Sequence, residues 1–323
     1  MKTKNYLASA NTGNGFINFF NNINQEKNSF NYIIKGGPGT GKSSLMKTVA
    51  KHFKSKGYKI EYFYCSSDAT SLDGIRIKNI SIVDGTAPHI TECCMPMIDS
   101  KILNVCDFIE LDLSSHRKKI SNLLERKSTY YKNTYLYFNI IKNLISLERP
   151  EKIIEIANIK QISKFNFYKN RNKNFKERTL FSSYINEKGL ENLYGKNKYR
   201  NIIVLNGNII DNKEPFNFLT KKLNENNLGY TKFMSILNPD YIEAVLINSS
   251  NILFVSKDAY NSVVKFKNCS IINLLIKKIA FQLYKAKTTH KKIESYFISA
   301  MNFKKLSTFT NNLIKEIESK LKK

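Results

Sequence analysis

The sequence predicts an α/β fold, a parallel sheet layered between helices and built twice along the chain, with a helical appendage on each half. Three observations predict it. A glycine-rich loop stands between an apolar strand and a helix, strand-like runs alternate with helix-like ones, and blocks of sequence recur in the same order at a near-constant offset.

In chain order, Tyr32 to Lys35 reads as a short buried strand and Ser43 to Ser55 as a helix. Lys59 to Tyr64 reads as a second strand, because Ile60, Tyr62 and Tyr64 alternate with Lys59, Glu61 and Phe63. Ile80-Ser81-Ile82-Val83 is a third. Strands alternating with helices imply a parallel sheet whose ligands collect at the strands' carboxyl ends, here Cys65 to Asp68 and Asp84 to His89. A helical stretch then runs from Leu111 to Leu147, with Tyr130, Tyr131, Tyr135 and Phe138 at helical spacing. Another runs from Ile271 to Leu321, with Ile293, Tyr296, Phe297 and Ala300.

The loop is Gly36-Gly37-Pro38-Gly39-Thr40-Gly41-Lys42-Ser43-Ser44, which meets the pattern G-x-x-x-x-G-K-[ST] in full. Its glycines let the backbone curl so that successive N–H groups face an anion, and the helix that follows adds its positive dipole end. Lys42 is expected on the β- and γ-phosphates of ATP and the Ser43 hydroxyl on Mg²⁺. Asp84, closing the apolar run from Ile80, has the form of a Walker B aspartate that holds the metal directly or through water. The pattern therefore predicts the fold of P-loop nucleoside triphosphatases. Asp68 and Asp73 lie in Ser66-Ser67-Asp68-Ala69-Thr70-Ser71-Leu72-Asp73-Gly74, where a carboxylate either orients water and Mg²⁺ or caps a turn. His89 is a further polar candidate beside the phosphates.

The recurrence pairs Tyr6 to Ala10 and Gly15-Phe16 with Leu180 to Tyr184 and Gly189-Leu190, and Tyr32 to Gly36 with Ile203 to Gly207. It goes on to pair Gly57 with Gly229, Asp68 with Asp240, and Asn79 to Val83 with Asn251 to Val255. The expected organisation is a first domain at 1–150, a basic linker at 151–177, and a second, P-loop-like domain at 178–323. In the second half the loop reads Gly207-Asn208-Ile209-Ile210-Asp211-Asn212-Lys213-Glu214-Pro215, so only Gly207 and Lys213 survive. Branched side chains and a carboxylate replace residues that let a backbone approach phosphate, and Ser256 stands in the place of Asp84. One competent nucleotide site is the expectation.

A formal net charge of +26 attracts polyanions, yet lysines are scattered along the chain among many Asn and Ile, the look of compositional drift. The densest basic run, Lys164 to Arg178 with Phe165, Phe167, Tyr168 and Phe175 interleaved, suits either a linker or a nucleic-acid contact. Five cysteines without a C-x-x-C pair argue for reduced thiols, and His89, Cys93, Cys94 and Cys106 match no metal-ligand spacing. No signal peptide and no membrane-length apolar run is evident, so a cytoplasmic protein without membrane contact is expected.

The segment from Lys35-Gly36 to Met46, with Tyr64-Cys65-Ser66-Ser67-Asp68, Ser71-Leu72-Asp73-Gly74 and Asp84-Gly85-Thr86-Ala87-Pro88-His89, resembles an uncharacterised family of bacterial ATPases with two P-loop domains. His290, Glu294, Tyr296, Phe297 and Ala300-Met301-Asn302-Phe303 are similar to that family's last helices. The resemblance implies ATP binding and hydrolysis and leaves the target open; this sequence departs from the family at its second loop. The readings are an Mg²⁺-dependent ATPase, a small-molecule or nucleotide kinase disfavoured by the scarcity of arginine, and a nucleic-acid-binding or scaffold protein with ATP as a structural ligand.

Overall fold

The computed structural model describes residues 3–25, 28–93, 95–167 and 177–322. The first half contributes β1 (Lys4–Tyr6), β2 (Ser9–Thr12), β3 (Gly15–Asn18), β4 (Phe30–Lys35), α1 (Lys42–Ser55), β5 (Ile60–Tyr64), β6 (Leu72–Ile77), β7 (Ile80–Asp84) and β8 (Ser100–Asn104). Two helices follow, α2 (Arg117–Ser146) and α3 (Lys152–Ser163). Then come β9 (Glu177–Leu180), β10 (Ser183–Asn186), β11 (Gly189–Asn192), β12 (Asn201–Leu205), α4 (Lys213–Glu225), β13 (Tyr230–Met234), β14 (Ile242–Ile247), β15 (Ile252–Ser256), α5 (Lys257–Asn261), α6 (Cys269–Ala300) and α7 (Phe303–Lys322).

Two compact units form, and they are not the two halves of the sequence. The first is Met1–Ala8, Ile23–Lys132 and Gln282–Lys323; the second is Ser9–Asn22 and Asn133–Phe281. Chain order alone assigns the last helices to the second half, whereas α7 packs on α1 in the first unit. Leu306, Leu313, Ile314 and Ile317 of α7 share a core with Leu45, Met46, Val49 and Phe53 of α1. The stretch 151–177 is likewise more than a linker. Its first part is α3, whose Ile162 is fully buried in the second unit's core, and Phe165 and Phe167 pack against that core. Tyr168 and Phe175 lie outside the described residues.

Each unit is α/β with a sheet of mixed sense, which corrects the expectation of parallel sheets. In the first unit the strand order is β1-β5-β6-β7-β4-β8. The pairs β1–β5, β4–β7 and β4–β8 are parallel, while β5–β6 and β6–β7 are antiparallel. The reason lies in the connections. A parallel return needs a crossover of about a dozen residues, and only residues 65–71 separate β5 from β6, and only Lys78 and Asn79 separate β6 from β7. Lys78 takes φ 51, the left-handed backbone of a tight hairpin. The sequence around Asp73, Gly74 and Arg76 conceals β6, because these residues are poor strand formers that tertiary packing overrides.

In the second unit the order is β9-β13-β14-β15-β12, with β9–β13 and β12–β15 parallel and β13–β14 and β14–β15 antiparallel. This is the order and sense of β1-β5-β6-β7-β4. Even the register shift repeats, at Phe63/Tyr64 in one sheet and at Phe233/Met234 in the other. The hairpins β2–β3 and β10–β11 correspond as well. Among the described residues, no helix is long and apolar enough to cross a membrane.

Candidate functional site

Strand β4 runs between two parallel neighbours, β7 and β8, with Tyr32, Ile33 and Ile34 fully buried. It ends at Lys35, and the Gly36 to Ser44 loop turns from its carboxyl end into α1. Gly39 and Gly41 take φ 73 and 85, backbone that only glycine adopts without strain. Gly41 is the N-cap of α1 and offers no side chain to its first turn, which carries no acidic residue either. The first helical N–H groups are therefore left without a side-chain acceptor in the place where an anion is best stabilised.

The Lys42 ammonium lies over the loop, donating to the carbonyls of Gly36 at 2.6 Å and Gly37 at 2.8 Å. Its nearest carboxylate is Asp84, Nζ to Oδ2 3.7 Å. Asp84 sits at the end of β7, hydrogen-bonded alongside β4, and its Oδ1 accepts from the Thr86 N–H at 2.9 Å. Thr86 in turn locks the loop: its hydroxyl donates to the Gly36 carbonyl at 2.9 Å and receives the Gly36 N–H at 3.1 Å. Lys35 pins the segment after β7 by donating to the carbonyls of Gly85 and Thr91 at 2.9 and 3.0 Å. Thr40 donates to the Gly37 carbonyl. The Ser43 hydroxyl accepts the Leu72 N–H at 3.0 Å, which ties the head of α1 to β6. Ser44 is exposed on the first turn and Pro38 half-buried in the loop. Asp84, distant in sequence from the loop, is thus brought to Lys42 at one end of the sheet.

Asp68 is placed differently. Its carboxylate accepts from the Thr70 N–H and hydroxyl at 3.3 and 2.8 Å and from the Ser71 hydroxyl, the geometry of a capped turn, and pairs with Lys287 at 3.1 Å. Burial acts upward on its pKa, but the hydrogen bonds of Thr70 and Lys287 outweigh it and hold the carboxyl below the usual range. Asp73 is buried, with Oδ1 3.7 Å from His89 Nε2. Among the described residues no cluster of three or more His, Cys, Asp or Glu could hold a metal ion; Cys94 lies outside them.

Helices distant in the chain bring further residues to the loop; the sequence presents Phe297, Glu294 and His290 only as part of the last helices, not as neighbours of the loop. The Phe297 ring of α6 stands 3.4 Å from the position a β-carbon on Gly37 would take, and the Glu294 carbonyl oxygen 2.7 Å from that on Gly39. One turn earlier, His290 Nε2 lies 3.5 Å from Glu294 Oε1, and its Nδ1 lies 3.0 Å from the ammonium of Lys127 on α2. Burial, with the charges of Lys127 and Lys42 added, pushes His290 down to about 4, so its imidazole is neutral at pH 7. Burial also lowers Lys127 and raises Glu294.

The corresponding loop of the second unit is closed by its own side chains. The Asp211 carboxylate accepts from the N–H of Asn208 at 2.9 Å and of Glu151 at 2.8 Å, and the Asn208 side chain accepts from the N–H of Ile210 at 2.8 Å. Asn158 and Asn212 hold the Asn206 carbonyl at 2.9 and 2.8 Å. Beside this loop is a small recess lined by Asn208, Ile209, Ser235, Leu237, Glu243 and Asp258. Burial raises the Glu243 carboxyl to about 7 and the Asp258 carboxyl to about 6. Carboxyl groups thus line the recess beside this loop.

The family model described as Nephrocystin 3, N-terminal, matches residues 13–139, less than half of the chain. No curated protein and no solved structure matches.

Proposed function

We propose that the chain is a nucleoside triphosphate-binding protein with one competent site, at Gly36 to Ser44, and that it hydrolyses ATP with Mg²⁺. The observation that carries this reading is the convergence of Lys42 and Asp84, 3.7 Å apart, on a loop whose Gly39 and Gly41 hold left-handed backbone. A triphosphate fits the loop because the head of α1 offers uncapped N–H groups and Lys42 rests on carbonyls that it can exchange for phosphate oxygens. Mg²⁺ fits Ser43 and Asp84, both oxygen donors at the same sheet end. When bound, Mg²⁺ neutralises charge on the phosphates; the loop orients them and Lys42 stabilises the charge that builds up during attack by water.

The Nephrocystin 3 N-terminal likeness covers the loop and Asp84 and points in the same direction. The repeated strand order supports a duplicated P-loop fold. The second copy does not bind nucleotide in this way, since Asp211 and Asn208 already occupy the N–H groups that a phosphate would need. Arg76, an arginine of the first half, is engaged with Glu61 at 2.8 Å on the sheet and so does not serve as a clamp on a transferred phosphate. The test is phosphate release from ATP with Mg²⁺ by purified protein and by Lys42→Ala. Release that depends on Lys42 is expected; equal rates in the two proteins would refute hydrolysis at this loop.

A further inference from the structure

Within the first unit, the side of the loop away from the sheet is covered by α6. Phe297 and Glu294 reach Gly37 and Gly39. That contact fixes what lies one turn back on α6, His290, and through His290 it fixes Lys127 on α2. Lys127 is half-buried, its ammonium 5.9 Å from the centroid of the Tyr131 ring. Among the described residues no carboxylate stands within ion-pairing distance of it, and its hydrogen-bond partner is an imidazole. Lys42 is close enough for its charge to depress both Lys127 and His290, while Glu294 acts on Lys127 only from beyond pairing distance.

A second ammonium and an imidazole therefore lie one helical turn from the part of α6 that touches the loop, and Asp84 pairs with Lys42 alone. Half-burying a lysine without a counter-charge is unfavourable. It becomes favourable where an anion carrying more than one charge binds between the cations, and a terminal phosphate supplies that charge. A diphosphate, which lacks the terminal group, leaves the second ammonium without it.

We propose that Lys127 is a phosphate-binding residue of this site, donating to the terminal phosphate of a nucleoside triphosphate and so favouring triphosphate over diphosphate. His290 accepts from Lys127 at Nδ1 when no nucleotide is bound, with its Nε2–H toward Glu294, and gives the ammonium up to the phosphate. The proposal rests on the nucleotide-site reading above and extends it to α2, an element outside the loop and Asp84.

The experiment is equilibrium binding, with Mg²⁺, of a non-hydrolysable ATP analogue and of ADP to the full chain as wild type, Lys127→Met, Lys127→Arg and Lys42→Ala. Lys127→Met should weaken the analogue about tenfold or more, the loss expected for one charge-assisted contact, and ADP by less than about threefold. Lys127→Arg, which keeps the charge, should recover most of that loss, and Lys42→Ala should lose both ligands. Equal losses for the two nucleotides in Lys127→Met, or none, would overturn the proposal while leaving the loop as a nucleotide site. Lys127→Gln is the second variant should Lys127→Met not fold. Unfolding of both would make Lys127 a structural lysine and overturn the proposal too. Wild type that binds neither nucleotide would instead refute the underlying reading.

Discussion

A methyl group added at Gly39 would meet two obstacles at once. Its φ of 73 lies where a β-carbon is strained by about 1–2 kcal/mol, and that carbon would stand 2.7 Å from the Glu294 carbonyl oxygen. Gly39→Ala is therefore expected to cost about 2 kcal/mol or more, read as a lower urea midpoint. Gly37→Ala, whose new carbon meets only the Phe297 ring at 3.4 Å, should stay within about 1 kcal/mol of wild type. A second residue-scale prediction concerns Glu243. Its folded pKa of about 7 lies above the ordinary 4.5, so the folded state keeps a proton that the unfolded chain releases. Stability is then full at acid pH and falls as pH rises through about 7, by about 3 kcal/mol from this group. Glu243→Gln keeps an acceptor for Ser183 and Tyr194 and should flatten most of that fall, leaving the smaller slope of Asp258. Urea unfolding between about pH 5 and 8 measures it; identical slopes in both proteins would contradict the assignment. The loop can be read from its own contiguous pattern and Asp84 from the apolar run it closes, and the fold sets Lys42 and Asp84 3.7 Å apart. Lys127 cannot be read in this way, and His290 and Glu294 are legible only as part of the last helices, since helix packing sets where all three stand.

At the scale of elements, α7 is the piece that chain order misplaces. Its buried residues Leu306, Thr310, Leu313, Ile314 and Ile317 recur at helical spacing, so the helix itself can be read from sequence. Its partner cannot, because an apolar stripe specifies a buried face and not what covers it. The structure pairs it with α1, directly behind the loop. Ile317→Ala, at a fully buried position, should cost about 2–5 kcal/mol and be seen as a loss of stability in the unit that carries the loop. Unchanged hydrogen-exchange protection of α1 in that variant would argue against the packing. Strand β6 shows the opposite failure, an element hidden by composition. Asp73 and Gly74 suggest a turn, yet Gly74 to Ile77 are paired with β5 on one side and β7 on the other. Because β6 returns antiparallel, the sheet is mixed, and Leu72 is delivered to Ser43 at the head of α1.

Across the whole molecule, five strands of each sheet share one order while the side chains at their loops carry opposite charge. In the first unit the Lys42 ammonium lies over its loop; in the second, Asp211 fills its own loop and Glu243 and Asp258 border the recess. The recurrence of sequence blocks anticipated the repeated topology, but not the interleaving of the halves into discontinuous units, because that depends on where long helices end up packed. On the proposed function, the chain has one nucleotide site and not two. Calorimetric titration with Mg²⁺ and a non-hydrolysable ATP analogue tests it most directly. One equivalent per chain is predicted, lost in Lys42→Ala and unchanged in Lys213→Ala. Two equivalents, none, or binding that survives Lys42→Ala would contradict it.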